Sequence, residues 1–339
     1  MPAPTRKKSA DTADVADKQR RIQAEQDRRD AAKRQGGKPE AKSDKSAKPA
    51  VQAGARAEPD KMPAQHLQKP GVERDLHLEP RFLAPDYLGS RKLHDRVALI
   101  TGGDSGIGRS VAVLFAREGA DVAIVYLNEH EDAGMTKRCV ELEGRKCILI
   151  PGDVKDAAFC RDAVEQTVRE FGRLDLLVNN AAFQEHAESL EDITDERLEE
   201  TLRTNIGGYF YMARAALPQL KRGASIINTG SVVGLEGSAQ LLDYSTTKGA
   251  IHAFTKSLAQ NLIEKGIRVN AVAPGPVWTP LNPADKPADK VAEFGKHTDM
   301  KRAAQPEELS PAYVFLAAPA CSGYITGVVL PVTGSVGAI

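Results

Sequence analysis

Residues 97–110 read VALITGGDSGIGRS. Five residues of strand character run straight into a turn carrying Gly102, Gly106 and Gly108, and a helix-forming stretch follows. A strand, a glycine turn and a helix in that order open a parallel α/β sheet. The glycines let the chain turn tightly and bring backbone N–H groups close to a pyrophosphate, which then rests on the helix N-terminus. The other residues of the turn, Asp104, Ser105 and Ile107, fall against the same ligand.

The pattern repeats downstream. Apolar runs at 122–127, 147–150, 174–179, 225–229, 268–272 and 327–332 alternate with helix-length segments, among them 106–118, 156–171, 196–220 and 243–264. Near-continuously apolar strands separated by helices predict a parallel sheet covered on both faces. The fold class is therefore α/β: a Rossmann-type, doubly wound sheet of about seven strands, with ligands at the carboxyl ends of its strands. It forms one domain over 96–339.

What precedes that domain differs in composition. The chain has 339 residues and no net charge, with 46 basic and 46 acidic side chains. Residues 1–60 hold 15 basic and 10 acidic, leaving 31 and 36 for the rest, so the tail carries +5 and the remainder −5. The first aromatic ring is Phe82, and a segment so poor in apolar residues is not expected to fold alone. Acid-before-base pairs at i,i+4, from Asp14–Lys18 to Asp30–Arg34, predict a partly formed, solvent-exposed helix over 11–35 with no face to bury. A flexible linker is expected over 36–64, completing a disordered or partly helical tail over 1–64. The proline-broken stretch 65–95 reads as an extended arm packed on the domain or on a neighbouring subunit.

No apolar run resembles a signal peptide or is long enough to span a membrane, and Asp11, Asp14 and Asp17 argue against a mitochondrial presequence. The four cysteines form no CxxC and fit reduced thiols in a cytoplasmic protein. The seven histidines show no paired metal spacing, so no metal site is inferred. Basic and acidic residues alternate in the tail without aromatics, which argues against nucleic acid.

Several strands deliver polar groups to one rim. Ser231 follows SIINTG, NNAA (179–182) ends another strand, Asn205 lies in RTNIGGYF, and PGPVWTP (274–280) follows a third. In LLDYSTTKGAIHAF (241–254), Tyr244 and Lys248 lie one helical turn apart on one face. Capping or turn formation would account for any one of these residues; their joint placement points to a site. A phenol is a poor base near neutrality, and an adjacent ammonium favours the phenolate and is expected to lower its pKa. Tyr244 would then serve as acid in reducing a carbonyl and as base in the reverse direction. The choice between NAD and NADP turns on the end of the second strand. Tyr126 stands where an acid would select NAD, Glu129 could substitute, no arginine follows, and Asp104 is unwelcoming to a 2′-phosphate. Either cofactor remains open, with a slight lean to NADP.

Together these motifs resemble the short-chain dehydrogenase/reductase family over about residues 94–335, and within it a bacterial subgroup with a long N-terminal extension. Ser231 stands thirteen residues before Tyr244, a spacing common in that family. The resemblance implies an NAD(P)-dependent oxidoreductase of an alcohol/carbonyl pair, with Asn205, Ser231, Tyr244 and Lys248 as the proton relay. It implies cofactor contacts from Asp153, Val154, Asn180, Ala181, Pro274, Gly275, Val277 and Thr279, from Tyr244 and Lys248, and a homo-oligomer, tetramer or dimer. Three positions depart from the family pattern: Ala182 and Gly230, where glycine and serine are usual, and VTG near the end. Gln184, Val233 and Gln240 are expected beside Ser231 around a small aldehyde, ketone or polyol, under a polar, mobile lid at 281–300. A cofactor sensor or scaffold on the same fold is the alternative, and the retained proton donor argues against it.

Overall fold

The strands assemble into one seven-stranded, all-parallel sheet in the order β3-β2-β1-β4-β5-β6-β7. The structure is a computed structural model, and it describes residues 12–36, 49–54, 57–59 and 61–335. The strands are β1 (Val97–Thr101), β2 (Asp121–Tyr126), β3 (Cys147–Pro151), β4 (Leu176–Asn179), β5 (Ser225–Thr229), β6 (Arg268–Pro274) and β7 (Val329–Val332). The helices are α1 (Thr12–Gly36), α2 (Gly106–Arg117), α3 (His130–Leu142), α4 (Ala157–Phe171), α5 (Asp195–Leu202), α6 (Gly208–Ala216), α7 (Val233–Glu236), α8 (Leu242–Leu262), α9 (Ala288–Ala292) and α10 (Pro306–Ala317). The chain winds outward from β1 to β3, then restarts at β4 on the other side of β1. That reversal opens a crevice at the carboxyl ends of β1 and β4.

The period-2 alternation of strand side chains divides the core in two. Ala98, Ile100, Val122, Ile124 and Val178 face the layer built from α2 and α10, including Leu114, Phe115, Leu309 and Tyr313. Leu99, Ala123, Val125 and Leu177 face α4, α6 and α8. The helix expected over 196–220 is interrupted by one π-turn, Arg203–Gly207, and ends at Ala216. The four cysteines are unpaired. No helix among the described residues is long and apolar enough to cross a membrane.

The N-terminal region departs most from expectation. Far from being solvent-exposed, α1 docks on the domain and buries Val15, Ala16 and Ile22 together with Gln19, Gln23 and Gln26. These positions recur at helical spacing, and the amides bond the surface beneath. Gln23 donates to the Leu67 carbonyl at 2.8 Å and the Ala284 carbonyl at 3.0 Å, and accepts from Lys69 N at 2.9 Å. Gln19 donates to Glu200 at 3.2 Å. Lys18 turns toward the domain and pairs with Glu200 at 3.3 Å, while Arg29 keeps its expected partner Glu25 at 3.3 Å and also pairs with Asp192 at 3.2 Å. The Arg34 side chain, residues 1–11, and 37–48, 55, 56 and 60 of the expected linker lie outside the described residues, as do 336–339. The rest of the linker is anchored: Val51 N donates to the Met300 carbonyl at 2.8 Å, and Met62 is buried.

Residues 61–95 run extended over the same molecule, with a single 3-10 turn at Glu73–Asp75. Met62, Leu67 and Leu76 pack with Trp278, Ala284, Val291 and Ala303. The segment 281–300 is packed against its surroundings along part of its length. It carries α9, buries Ala284, Asp285 and Val291, and is held from outside by the arm.

Candidate functional site

Loops at the carboxyl ends of β1, β2, β4, β5 and β6 surround one cavity of about 1290 Å³. Its floor at one end is the glycine turn. Gly102 and Gly106 have φ of 61° and 50°, in the left-handed region glycine tolerates, and a Cβ on Gly108 would stand 1.9 Å from the Gly102 carbonyl oxygen. Gly108 therefore shapes the turn from within rather than lining the cavity, as expected of it. Asn180 ties the turn to the neighbouring strand, donating through Nδ2 to the Gly102 carbonyl at 2.9 Å. Asp104, Ser105, Ile107, Tyr126, Asp153, Val154, Ala181, Pro274, Gly275, Val277 and Thr279 line the cavity as the sequence places them.

A feature the sequence reading missed sits behind the turn. Glu73, from the arm, accepts from Gly106 N at 2.6 Å and pairs with the buried Arg109. A carboxylate thereby caps the first turn of α2 from 33 residues away. Burial, only partly offset by Arg109, raises the Glu73 pKa to about 7. Around the end of β2, Asp104 is raised by burial, and Glu129 is raised to about 8 by burial and by Asp104.

At the other end of the rim, β5 delivers Ser231 and α8 delivers Tyr244 and Lys248 into the same cavity. Ser231 Oγ accepts from Val233 N at 3.3 Å and lies close enough to Tyr244 to influence its phenol. Lys248, 1% exposed, donates to the Thr229 carbonyl at 2.8 Å and lies 5.3 Å from the centre of the Tyr244 ring. The expected lowering of the Tyr244 pKa is not found. Burial pushes the phenol above its ordinary value, with Asp285 and Tyr313 adding and the nearby Ser231 hydroxyl opposing. Burial also brings Lys248 down to about 7. Desolvation disfavours both charged forms, so the proton stays on the tyrosine at neutral pH.

His252, one turn beyond Lys248, lies under the Ser231 backbone, with Nε2 3.4 Å from Ser231 N. Burial and Lys248 lower its pKa to about 4. A Cβ on Gly230 would stand 2.3 Å from His252 Nε2, which accounts for glycine at that position. Asn205, placed in the relay by resemblance, does not line the cavity. The π-turn aims it at the loop after β4, where Nδ2 donates to the Phe183 carbonyl at 2.9 Å and Thr247 Oγ1 at 3.0 Å, and Oδ1 accepts from Phe183 N at 2.8 Å.

Gln184, Val233 and Gln240 line the cavity beside Ser231, but the Gln184 amide is engaged, donating to Asp285 at 2.5 Å. Around it lies a buried polar network with no metal-type spacing to announce it. Lys69 donates to the carbonyls of Gln184 at 2.7 Å and Ala284 at 3.0 Å and pairs with Glu185 at 3.2 Å. His186 bridges Asp285 at 3.0 Å and Asp30 of α1 at 2.9 Å. Burial alone would lower the His186 pKa; the bonds to Asp285 and Glu185 prevail and raise it to about 10. Asp285 is correspondingly held well below the usual carboxylate range by His186. Glu185, His186 and Asp285 come within 4.8 Å of one another, with Lys69 and Asp30 as their protein partners.

Comparison with known proteins places this geometry. The family profile described as Enoyl-(Acyl carrier protein) reductase matches residues 102–336. NADPH-dependent aldehyde reductase 1, chloroplastic, of Arabidopsis thaliana is 50% identical over 276 residues, 80% of this chain and 96% of that protein. The glucose and ribitol dehydrogenase of Daucus carota is 47% identical over 279 residues, 80% of this chain and 95% of that protein. Among solved structures, a short-chain dehydrogenase from Burkholderia cenocepacia in complex with NADP aligns with a TM-score of 0.67 at 33% identity, covering 72% of this chain and 98% of that one. The chain belongs to the short-chain dehydrogenase/reductase family and is an NAD(P)-dependent oxidoreductase.

Proposed function

We propose that the protein reduces small, polar aldehydes to alcohols, with Tyr244 as the proton donor. The observation that carries this reading is the convergence of the Ser231 hydroxyl, the Tyr244 phenol and the Lys248 amine on the cavity that also contains the glycine turn. A dinucleotide fits the other end, where the glycine turn lines the cavity and the space continues past Glu129, Asp153 and Asn180. When bound, the reduced nicotinamide supplies the hydride. Ser231 orients the carbonyl oxygen, and the protonated Tyr244 passes its proton to that oxygen as the alcohol forms. Lys248, in its protonated form, stabilises the phenolate left behind. Asn205 acts as a positioning residue, clamping α8 through Thr247 to the loop at Phe183.

Burial keeps Tyr244 protonated, the form that reduction of a carbonyl requires. The name of the Arabidopsis relative, an aldehyde reductase, supports the same reading. Both cofactor forms are usable, and NADPH is accepted while Glu129 keeps its proton; a neutral carboxyl can donate to a 2′-phosphate that a carboxylate would repel. The test is loss of the reduced-nicotinamide absorbance with glycolaldehyde, methylglyoxal, erythrose and butanal. Turnover concentrated in the hydroxylated or dicarbonyl compounds is expected. Cofactor binding without turnover of any of them would sink the reading.

A further inference from the structure

We propose that α1 completes the cofactor site, with the side-chain amide of Gln19 recognising the adenine of the bound dinucleotide. A pyrophosphate at the glycine turn after β1 and a nicotinamide beside Tyr244, on the β5 side, leave the adenosine to extend the other way. That way leads past the ends of β2 and β3, where Tyr126, Glu129, Gly152 and Asp153 line the cavity. β3 is the edge of the sheet, so no further strand closes this end. Contacts fix Gln19 of α1 there, although α1 precedes the residues 102–336 that the family profile matches. Gln19 Nε2 and Lys155 Nζ both donate to Glu200 Oε1, at 3.2 Å and 2.5 Å, and Lys155 Nζ lies 3.6 Å from Asp153 Oδ2. Gln19 and Asp153 both line the cavity.

The chemistry of this corner selects an uncharged base. Lys18 and Lys155 face the carboxylates of Glu200 and Asp153, so two cations and two anions balance and no surplus charge calls for a phosphate. Glu200, ion-paired, only accepts, so the NH₂ group of the Gln19 amide faces it. The second N–H and the carbonyl oxygen, which takes no hydrogen bond from the described residues, are left for a ligand. One donor beside one acceptor complements the N6 amino group of adenine and its neighbouring ring nitrogen, the pair that glutamine reads bidentately in nucleic acids. Thr204, one turn past Glu200, also lines the cavity, and its hydroxyl is buried without a hydrogen-bond partner among the described residues. A polar base edge would satisfy it. Hypoxanthine, with a carbonyl in place of the amino group, would set an acceptor against the Gln19 oxygen.

The test reads dissociation constants from the fluorescence of the reduced nicotinamide, using full-length wild type, Gln19→Ala, Gln19→Met and Arg29→Ala. The ligands are NADH, its hypoxanthine analogue, and reduced nicotinamide mononucleotide, which lacks the adenosine. NADH is expected to bind about tenfold more weakly in both Gln19 variants, the loss of one good hydrogen bond. The mononucleotide should change less than about twofold. The preference of wild type for NADH over the hypoxanthine analogue should fall about tenfold in both Gln19 variants. It should be kept in Arg29→Ala, since neither Arg29 nor its partner Asp192 lines the cavity. Gln19→Met keeps the length and packing of the side chain, so a loss there is not a loss of fold. An NADH affinity within twofold of wild type in Gln19→Met, an equal loss for the mononucleotide, or an unchanged base preference would overturn the proposal by making Gln19 purely structural. The same change of preference in Arg29→Ala would overturn it too, because any loosening of α1 would then suffice. No aldehyde enters the assay, so the aldehyde-reductase reading can fail without touching this one.

Discussion

Gly230 and His252 show how one residue governs the catalytic rim. The histidine fills the space a side chain at 230 would need and supports the backbone that presents Ser231. Gly230→Ser is expected to displace Ser231 and lower kcat roughly 100-fold, the effect of a misplacement of about 1 Å, with cofactor affinity unchanged. His252→Ala in the same chain should recover most of the loss by reopening the space. Wild-type kcat in Gly230→Ser alone would contradict this coupling. Glu129 makes a second residue-scale case, through pH. Its pKa is raised to about 8 by burial and by Asp104, so it is neutral below that value and a carboxylate above it. Between pH 6.5 and 9.5 the dissociation constant of NADPH, read by its fluorescence, should therefore rise more steeply than that of NADH. The extra dependence should vanish in Glu129→Gln. That Ser231, Tyr244 and Lys248 face one cavity was legible in the sequence, because strand ends and a helical spacing of four place them there. Asn205 was not, because a π-turn breaks the 3.6-residue period and rotates its side chain away from the cavity.

At the scale of elements, α1 shows what hydrophobic pattern alone conceals. Its buried stripe is Val15, Ala16, Gln19, Ile22, Gln23 and Gln26, a helical face of which half the side chains are amides. Counting only branched apolar residues leaves it without a face, whereas the recurrence of glutamine at 19, 23 and 26 was the available signal. Gln23 makes three hydrogen bonds to the arm and the 278–285 region, so its truncation leaves buried backbone groups unpaired. Gln23→Ala should weaken docking of α1 by roughly 1–3 kcal/mol. Hydrogen exchange over residues 12–36 would then accelerate about 5- to 150-fold, while protection of β1, β4 and β5 stays unchanged. Unaltered exchange in α1 would mean that the amide contacts do not hold it. The strands, by contrast, were readable nearly residue by residue, since burial on both faces demands continuous apolar runs.

Across the whole molecule, α1, the arm and the α/β domain pack against one another. The charge asymmetry visible in composition has a structural counterpart: Lys18 and Arg29 of the basic tail meet Glu200 and Asp192 of the acidic domain. Its consequence could not be read from composition, because no local pattern says which acids will face the tail. The arm connects both ends of the cavity. Glu73 holds the glycine turn, and Lys69 holds the loop at Gln184 together with the segment at Ala284. Everything converges on a cavity whose chemistry is assigned to Tyr244, so the most direct measurement is the pre-steady-state rate of reduced-nicotinamide oxidation with erythrose in wild type and Tyr244→Phe, alongside cofactor dissociation constants for both. The account predicts a rate lower by about 10²–10⁴-fold in Tyr244→Phe, as for loss of a general acid, with cofactor affinity unchanged. A rate within about threefold of wild type would contradict it, since so small a change is under 1 kcal/mol of barrier and leaves no room for an essential proton donor.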